Sequence, residues 1–418
     1  MNPRFKNSEA SISQTTTRIC RSAESIVYFY MRKVYLDHTA TTPLDPRVLE
    51  AMKPYFSEKF GNASSIHRFG QEAKAALDES RDILAKFLGA QAGEILFVGS
   101  GTEADNFALK GVAWEMRNSY GKNHIITSKV EHHAVLDTCG FLQQNGFAIT
   151  YLDVNEYGMI DPDEVRKNIK PETGLLSIMH ANNEVGTINL IAEIAQIAKE
   201  HNLVFHSDAV QTFGKCSVNV HDLGVDLLSL SAHKIYGPKG IGALYLRKGV
   251  KIERFMHGGG QERGRRAGTE NVPLAVGFAK AAELMVHQRE SESIRLGALK
   301  SKLRTMLDKR FPFILFNGHP TQALPHILNI SFDSEKIEID GESLLFNLDL
   351  AGIAVTSGSA CTSGSMEPSH VLLAMGRDQK TAQATIRFSM GRSTTEEDID
   401  YTVRTLEEIV QRIAKVLV

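Results

Sequence analysis

Ser231-Ala232-His233-Lys234 closes an apolar run, and Ile235 to Gly240 then turn the chain back. A lysine at the end of a buried strand is costly unless it is paired or used covalently. It either snorkels to solvent or forms a Schiff base with an aldehyde cofactor, chemistry that needs a lysine in such a pocket. Lys239, in a Gly/Pro turn, reads as exposed. Asp208 follows the apolar run 203–207 and suits two jobs equally: capping a helix, or keeping a pyridinium nitrogen protonated.

Gly99-Ser100-Gly101-Thr102-Glu103-Ala104 follows a strand-like run and opens a helix-like one. Free backbone N–H groups at such a helix start bind phosphate. A dinucleotide site should add an acidic residue about 20 positions on. Residues 119–124 read Ser-Tyr-Gly-Lys-Asn-His, so phosphate survives and dinucleotide does not. His132 and His133 are adjacent and point in different directions, and no HExxH occurs, which argues against metal. A histidine over a flat cofactor ring, acting as acid or base, is physically sensible. The Gly- and Arg-rich run from Gly258 to Thr269 has neither aromatics for base stacking nor a Walker pattern. It reads as a phosphate-gripping loop or a subunit boundary. Cys361 sits among Ser357-Gly358-Ser359-Ala360 and Thr362-Ser363-Gly364-Ser365, small residues that suit a thiol travelling between a buried site and a partner.

These residues need a scaffold that delivers them together. Strand-like runs at 94–98, 124–128, 148–152, 175–180, 203–207, 226–231 and 242–246 alternate with helix-like stretches. Near-continuous apolar strands with helical crossovers imply a seven-stranded, mostly parallel sheet covered on both faces, in one large α/β domain. Beyond about 275 the pattern changes to α+β: a helix at 275–310, a strand at 326–332, a helix at 342–350 and a capped helix at 395–417. Ligands collect at the carboxyl ends of such strands. Five strands here end in polar clusters: 99–103, 131–133, 182–184, 208–211 and 233–234.

Composition narrows the class. The 418 residues carry a net charge of −2, so no general pull toward nucleic acid or a membrane surface exists, and a small-molecule substrate is expected. No apolar run approaches a membrane span. Four scattered cysteines, with no CxxC, fit a reducing compartment better than a disulfide framework. Residues 1–31, rich in Ser and Thr with a few basic residues, read as a disordered extension that weakly resembles a transit peptide.

Three stretches taken in order, Tyr35-Leu36-Asp37-His38-Thr39-Ala40-Thr41-Thr42-Pro43, Ser231 to Gly240 and Ser357 to Ser363, resemble cysteine desulfurases of the NifS/IscS type. These belong to the class V aminotransferases, pyridoxal-phosphate enzymes of fold type I. The resemblance runs from about Val34 to the end and implies a site, residue by residue. Lys234 would hold pyridoxal phosphate covalently, with His132 stacked on its ring and shuttling protons. Asp208 would pair with the ring nitrogen, Gln211 with the phenolic oxygen, and Asn183 would lie beside ring and substrate. Gly101, Thr102, Ser231 and His233 would hold the phosphate, with Thr269 reaching in from the second subunit of a homodimer. Arg387 would clamp the substrate carboxylate, a bidentate task suited to arginine.

The resemblance further implies removal of sulfur from L-cysteine, giving alanine and a persulfide on Cys361. That sulfur would supply iron–sulfur cluster assembly or other thio-cofactors through a NifU- or IscU-like scaffold. The end Lys415-Val416-Leu417-Val418, without a Trp- and His-containing tail, points toward the NifU-like acceptor. No resident metal is expected, although Cys361 could ligate a partner's cluster transiently. The expected division is a large domain at 46–292 and a small one combining 32–45 with 293–418. A cytoplasmic home is expected, or a mitochondrial one if the extension is a transit peptide. Within the same fold the alternatives are a selenocysteine lyase, another β-eliminase or an aminotransferase; outside enzymes, a non-catalytic binding protein.

Overall fold

The computed structural model describes residues 32–358 and 367–416. The 1–31 extension and Cys361 lie outside them. The large sheet contains β1 (Ile95–Val98), β2 (His124–Ser128), β3 (Ala148–Leu152), β4 (Thr173–Ser177), β5 (Val204–Asp208), β6 (Leu227–Ser231) and β7 (Gly242–Leu246). Their spatial order is β1-β7-β6-β5-β4-β2-β3. Only β7 runs antiparallel to its neighbours β1 and β6; the other pairings are parallel.

Both faces are buried, as the near-continuous apolar strands require. Successive residues point to opposite faces, so Leu96, Leu175, Leu227 and Leu244 join one core and Phe97, Leu176, Leu228 and Ala243 the other. One face is closed by α2 (Gly101–Tyr120) and α3 (His133–Gln144), the other by α1 (Arg68–Leu88) and α4 (Ile191–Glu200), and the two together make the large core. Gly242 is required where β7 passes behind the start of α2. A Cβ there would lie 2.6 Å from both Leu230 O and the Ser100 carbonyl carbon.

A second core joins Val34 and Leu36 to residues between Leu299 and Val410. Its antiparallel sheet holds β8 (Ile314–Asn317), β9 (Ile327–Phe332) and β10 (Thr385–Ser389), with β9 central. The short strand Val34–Tyr35 pairs in parallel with Ile353–Ala354, which fastens the start of the described chain to this unit. α5 (Val272–Arg310) is one continuous helix of 39 residues. Ala275 to Met285 pack in the large core and Leu299 to Leu307 in the second, so the expected boundary at 292/293 falls inside a helix.

α6 spans Gly341–Leu350 and α7 spans Glu396–Ile413. Thr395 and Asp398 form the α7 capping box, with the acidic first turn favouring the helix dipole. The helix stops short of the expected 417: Lys415–Val416 instead pair antiparallel with Ile337–Glu338. Among the described residues no helix is long and apolar enough to cross a membrane, and no cluster of His, Cys, Asp and Glu could hold a metal.

Candidate active site

The carboxyl ends of β1, β2, β4, β5 and β6 open onto one cavity of about 550 Å³, a volume suited to a cofactor or small ligand. Its wall contains Gly101, Thr102, His132, Asn183, Asp208, Gln211, Ser231, His233, Lys234 and Arg387. Ten residues singled out from the sequence therefore meet in one place, although 286 positions separate the first from the last.

The phosphate-like end is built by α2. Ser100 caps it, accepting from Glu103 N at 3.0 Å, while Glu103 Oε2 accepts from Gly99 N at 2.7 Å. The next N–H groups are left facing the cavity at the positive end of the helix. Ser231 Oγ, buried at the end of β6, has no hydrogen-bond partner. A Cβ on Gly101 would stand 2.8 Å from Val210 Cγ2 and 3.4 Å from Ser231 Cβ. This is a cradle that a side chain would fill.

Lys234 follows β6 on a short 3-10 turn, and its Nζ donates to Thr39 O at 2.6 Å and Ala40 O at 2.7 Å. Among the described residues no carboxylate forms an ion pair with it. Burial and then Arg387 lower its pKa to about 8, opposed by Asp208 and Asp37, which raises the fraction of nucleophilic amine at neutral pH. Asp208 ends β5 and accepts from Val210 N at 2.8 Å. One oxygen caps the turn, as the capping reading expects, while the side chain also lines the cavity. Burial raises its pKa to about 6, against the Val210 N–H and Lys234.

His132 caps α3, with Nδ1 accepting from Ala134 N at 3.0 Å, so Nε2 carries the proton. Its ring is surrounded by protein but keeps an accessible face on the cavity. Burial, then the charge of Lys234, lowers its pKa to about 4. His233 is likewise held down to about 4, chiefly by burial, and its Nδ1 meets Thr41 Oγ1 at 3.1 Å. Gln211 Nε2 donates to Thr39 O at 3.1 Å.

Arg387, on β10 and 5% exposed, pairs with Asp37 Oδ1 at 2.8 Å and donates to Asn183 O at 3.0 Å; its Nε has no partner. Two sites are not gathered in. Thr269 borders a different cavity, beside Gly99, Glu262 and Arg266. Cys361 lies outside the described residues, and Gly358, the last described residue before it, lines the main cavity.

The sequence reading missed Asp37, which holds Arg387, and Thr39 and Ala40, whose carbonyls receive Lys234. It also missed Asp105, buried in the cavity wall. One signal existed for Asp105: it lies four residues after Gly101, on the same face of a helix. Carbonyl roles leave no signal in residue type.

The class-V aminotransferase family matches residues 34–402. The cysteine desulfurase IscS of Dictyoglomus turgidum is 52% identical over 382 residues, covering 91% of this chain and 95% of that protein. A solved NifS-like protein superposes with a TM-score of 0.84 at 40% identity, over 91% of this chain and all of that one. The structure described as SspA in complex with cysteine gives 0.74 at 37% identity, over 86% and 99% of the two chains. With the family spanning both cores and the whole cavity wall, the chain belongs to the class-V aminotransferases, alongside relatives named cysteine desulfurase.

Proposed function

We propose that this enzyme is a cysteine desulfurase that uses pyridoxal phosphate: L-cysteine and the Cys361 thiol give L-alanine and a Cys361 persulfide. The observation that carries the reading is Lys234, a lysine with a lowered pKa and no direct counterion, facing Asp208 across a cavity with a phosphate cradle at one end. The cradle fits the cofactor's phosphate: Gly101 and Thr102 offer N–H groups at the α2 start, and Ser231 Oγ awaits a partner. His233 borders the same end. Bound there, pyridoxal phosphate supplies an electron sink for the substrate α-carbon.

Lys234 is the covalent anchor. Asp208 would hold a proton on the ring nitrogen, and a partner of that kind would restore the charge its burial disfavours. Gln211 would donate to the phenolic oxygen through Nε2, and Asn183 would lie beside the ring. Arg387 receives the substrate carboxylate; Asp37 and the Asn183 carbonyl already fix two of its nitrogens, so it is oriented before substrate arrives. His132, neutral at physiological pH and protonated on Nε2, is suited to exchange protons with the substrate thiol. The Cys361 thiolate attacks the substrate sulfur, the new S–S bond forms as the C–S bond breaks, and the carbon side takes up a proton to leave as alanine.

A homodimer is supported by Phe56, Phe60, Ile66 and Phe69, which are 60%, 64%, 92% and 53% exposed on the single chain. Thr269, outside the cavity of its own chain, is then available to a partner's phosphate cradle. A NifU- or IscU-like acceptor would take the persulfide sulfur. The two cores support a large domain at 46–292 and a small one formed by 32–45 and 293–418, coupled through α5. A free catalytic thiol suits the reducing cytoplasm.

The test is mass spectrometry of the Cys361 peptide after incubation with cysteine. One added sulfur, with alanine released, is expected. Cys361→Ser retaining full alanine formation refutes the persulfide role. A purified protein without a visible cofactor band, or a Lys234→Ala variant that keeps an unchanged band, refutes the cofactor role.

A further inference from the structure

Lys215 is a second interior lysine whose place in the reaction the sequence gives no hint of. It lies four residues beyond Gln211, and its Nζ donates to Gln211 Oε1 at 3.4 Å and to His326 Nε2 at 3.1 Å. Both acceptors are neutral. No ion pair forms at Lys215 among the described residues; the charge it feels most is that of Lys234, followed by an opposing Cys216 and then by Arg387. On its far side lies a small cavity of about 30 Å³, walled also by His38, Tyr236, Arg289, Glu292, His326 and Arg392. The carboxylate there, Glu292, is engaged by Arg295 at 2.9 Å. His38 faces Ser389 O with Nδ1, so its buried, unpartnered Nε2 adds another neutral acceptor.

A lysine in this setting costs stability. A methionine would fill the space without desolvating a charge. What Lys215 does gain is position: its contact with Oε1 settles which way the Gln211 carboxamide points, leaving Nε2 toward Thr39 O. Thr39 O is also the acceptor of Lys234 Nζ. The two lysines are thus joined through one carboxamide and one carbonyl.

We propose that Lys215 is a positioning residue for the active site: by donating to Gln211 Oε1 it holds the Gln211 amide nitrogen toward the cofactor. The inference rests on the roles given above to Lys234 and Gln211. Burial, reinforced by Lys234, lowers the Lys215 pKa to about 7, and the neutral amine still donates to Gln211 Oε1.

The experiment is a spectrophotometric pH titration of the cofactor-loaded full chain, comparing wild type with Lys215→Met and Lys215→Arg. Freeing the Gln211 carboxamide loses its hydrogen bond to the phenolic oxygen, which favours the proton on the Lys234 nitrogen and should raise the midpoint of the visible band by roughly 0.5 pH unit. Lys215→Arg should move it back toward wild type. A cofactor-loaded Lys215→Met with the wild-type midpoint overturns the proposal. Should Lys215→Met not fold, Lys215→Gln takes its place in the same titration, and an unmoved midpoint again overturns the proposal. A wild-type chain with no visible band counts against the cofactor reading, whereas a band with an unmoved midpoint counts against Lys215 alone.

Discussion

Replacing Gly101 by alanine separates the folding of the cradle from its use. Gly101 is the first residue of α2, where alanine is favoured over glycine by up to about 1 kcal/mol. The added methyl meets Val210 Cγ2 at 2.8 Å, closer than such carbons normally approach, and Ser231 Cβ at 3.4 Å. Val210 must give way, which offsets the helix gain. The cofactor-free variant should therefore unfold in urea within about 1 kcal/mol of wild type. Binding is a different matter, because the methyl occupies the space between the helix N–H groups and Ser231 Oγ. Loss of one hydrogen bond to a charged phosphate costs about 1.5–3 kcal/mol, or roughly 10- to 150-fold in affinity. Titrating cofactor-free protein with pyridoxal phosphate and following the visible band measures this. A Gly101→Ala protein that folds normally and binds with unchanged affinity would refute the cradle.

Two further predictions concern buried charge. Arg81 and Glu262 form a bidentate pair at 2.8 and 2.9 Å, 7% and 3% exposed at their side chains, and Glu262 Oε2 also accepts from Phe97 N. Glu262→Ala should cost about 3–5 kcal/mol in urea unfolding by stranding Arg81, and an Arg81→Met/Glu262→Leu double variant should recover much of it; a single-variant cost under about 1 kcal/mol contradicts this. Glu131 is held by Ser128 Oγ and Met179 N, and burial pushes its pKa up to about 8. Because the folded value lies above the unfolded one, the stability this group contributes is full below about pH 4.5 and is lost as pH rises through 8. Glu131→Gln should therefore gain on wild type between those limits, by a few kcal/mol at the upper end, and parallel stability profiles would count against it.

The apolar runs were enough to define all seven strands of the large sheet, because strands buried on both faces leave a continuous signature. Boundaries moved by up to three residues: β4 spans Thr173–Ser177 rather than 175–180, and β5 runs on to Asp208. The end of α7 was misjudged more seriously. Amphipathic spacing continues toward 417, but pairing of Lys415–Val416 with Ile337–Glu338 decides the conformation there, and that partner lies 78 residues upstream.

The sequence alone determined which residue types stand at the ends of which strands, and so that a lysine, a carboxylate, a histidine and a helix start converge on one sheet edge. Strand direction dictates this, since parallel strands place their carboxyl ends together. Tertiary structure decided the charge state and orientation of each group. Asp37 reaches Arg387 across 350 positions, and the carbonyls of Thr39 and Ala40 receive Lys234. The lowered pKa of Lys234 comes from burial and from Arg387, on a strand of the other core. Desolvation and through-space charge belong to the packed molecule, and no local pattern encodes them. The sequence therefore named Lys234, and the fold set its charge.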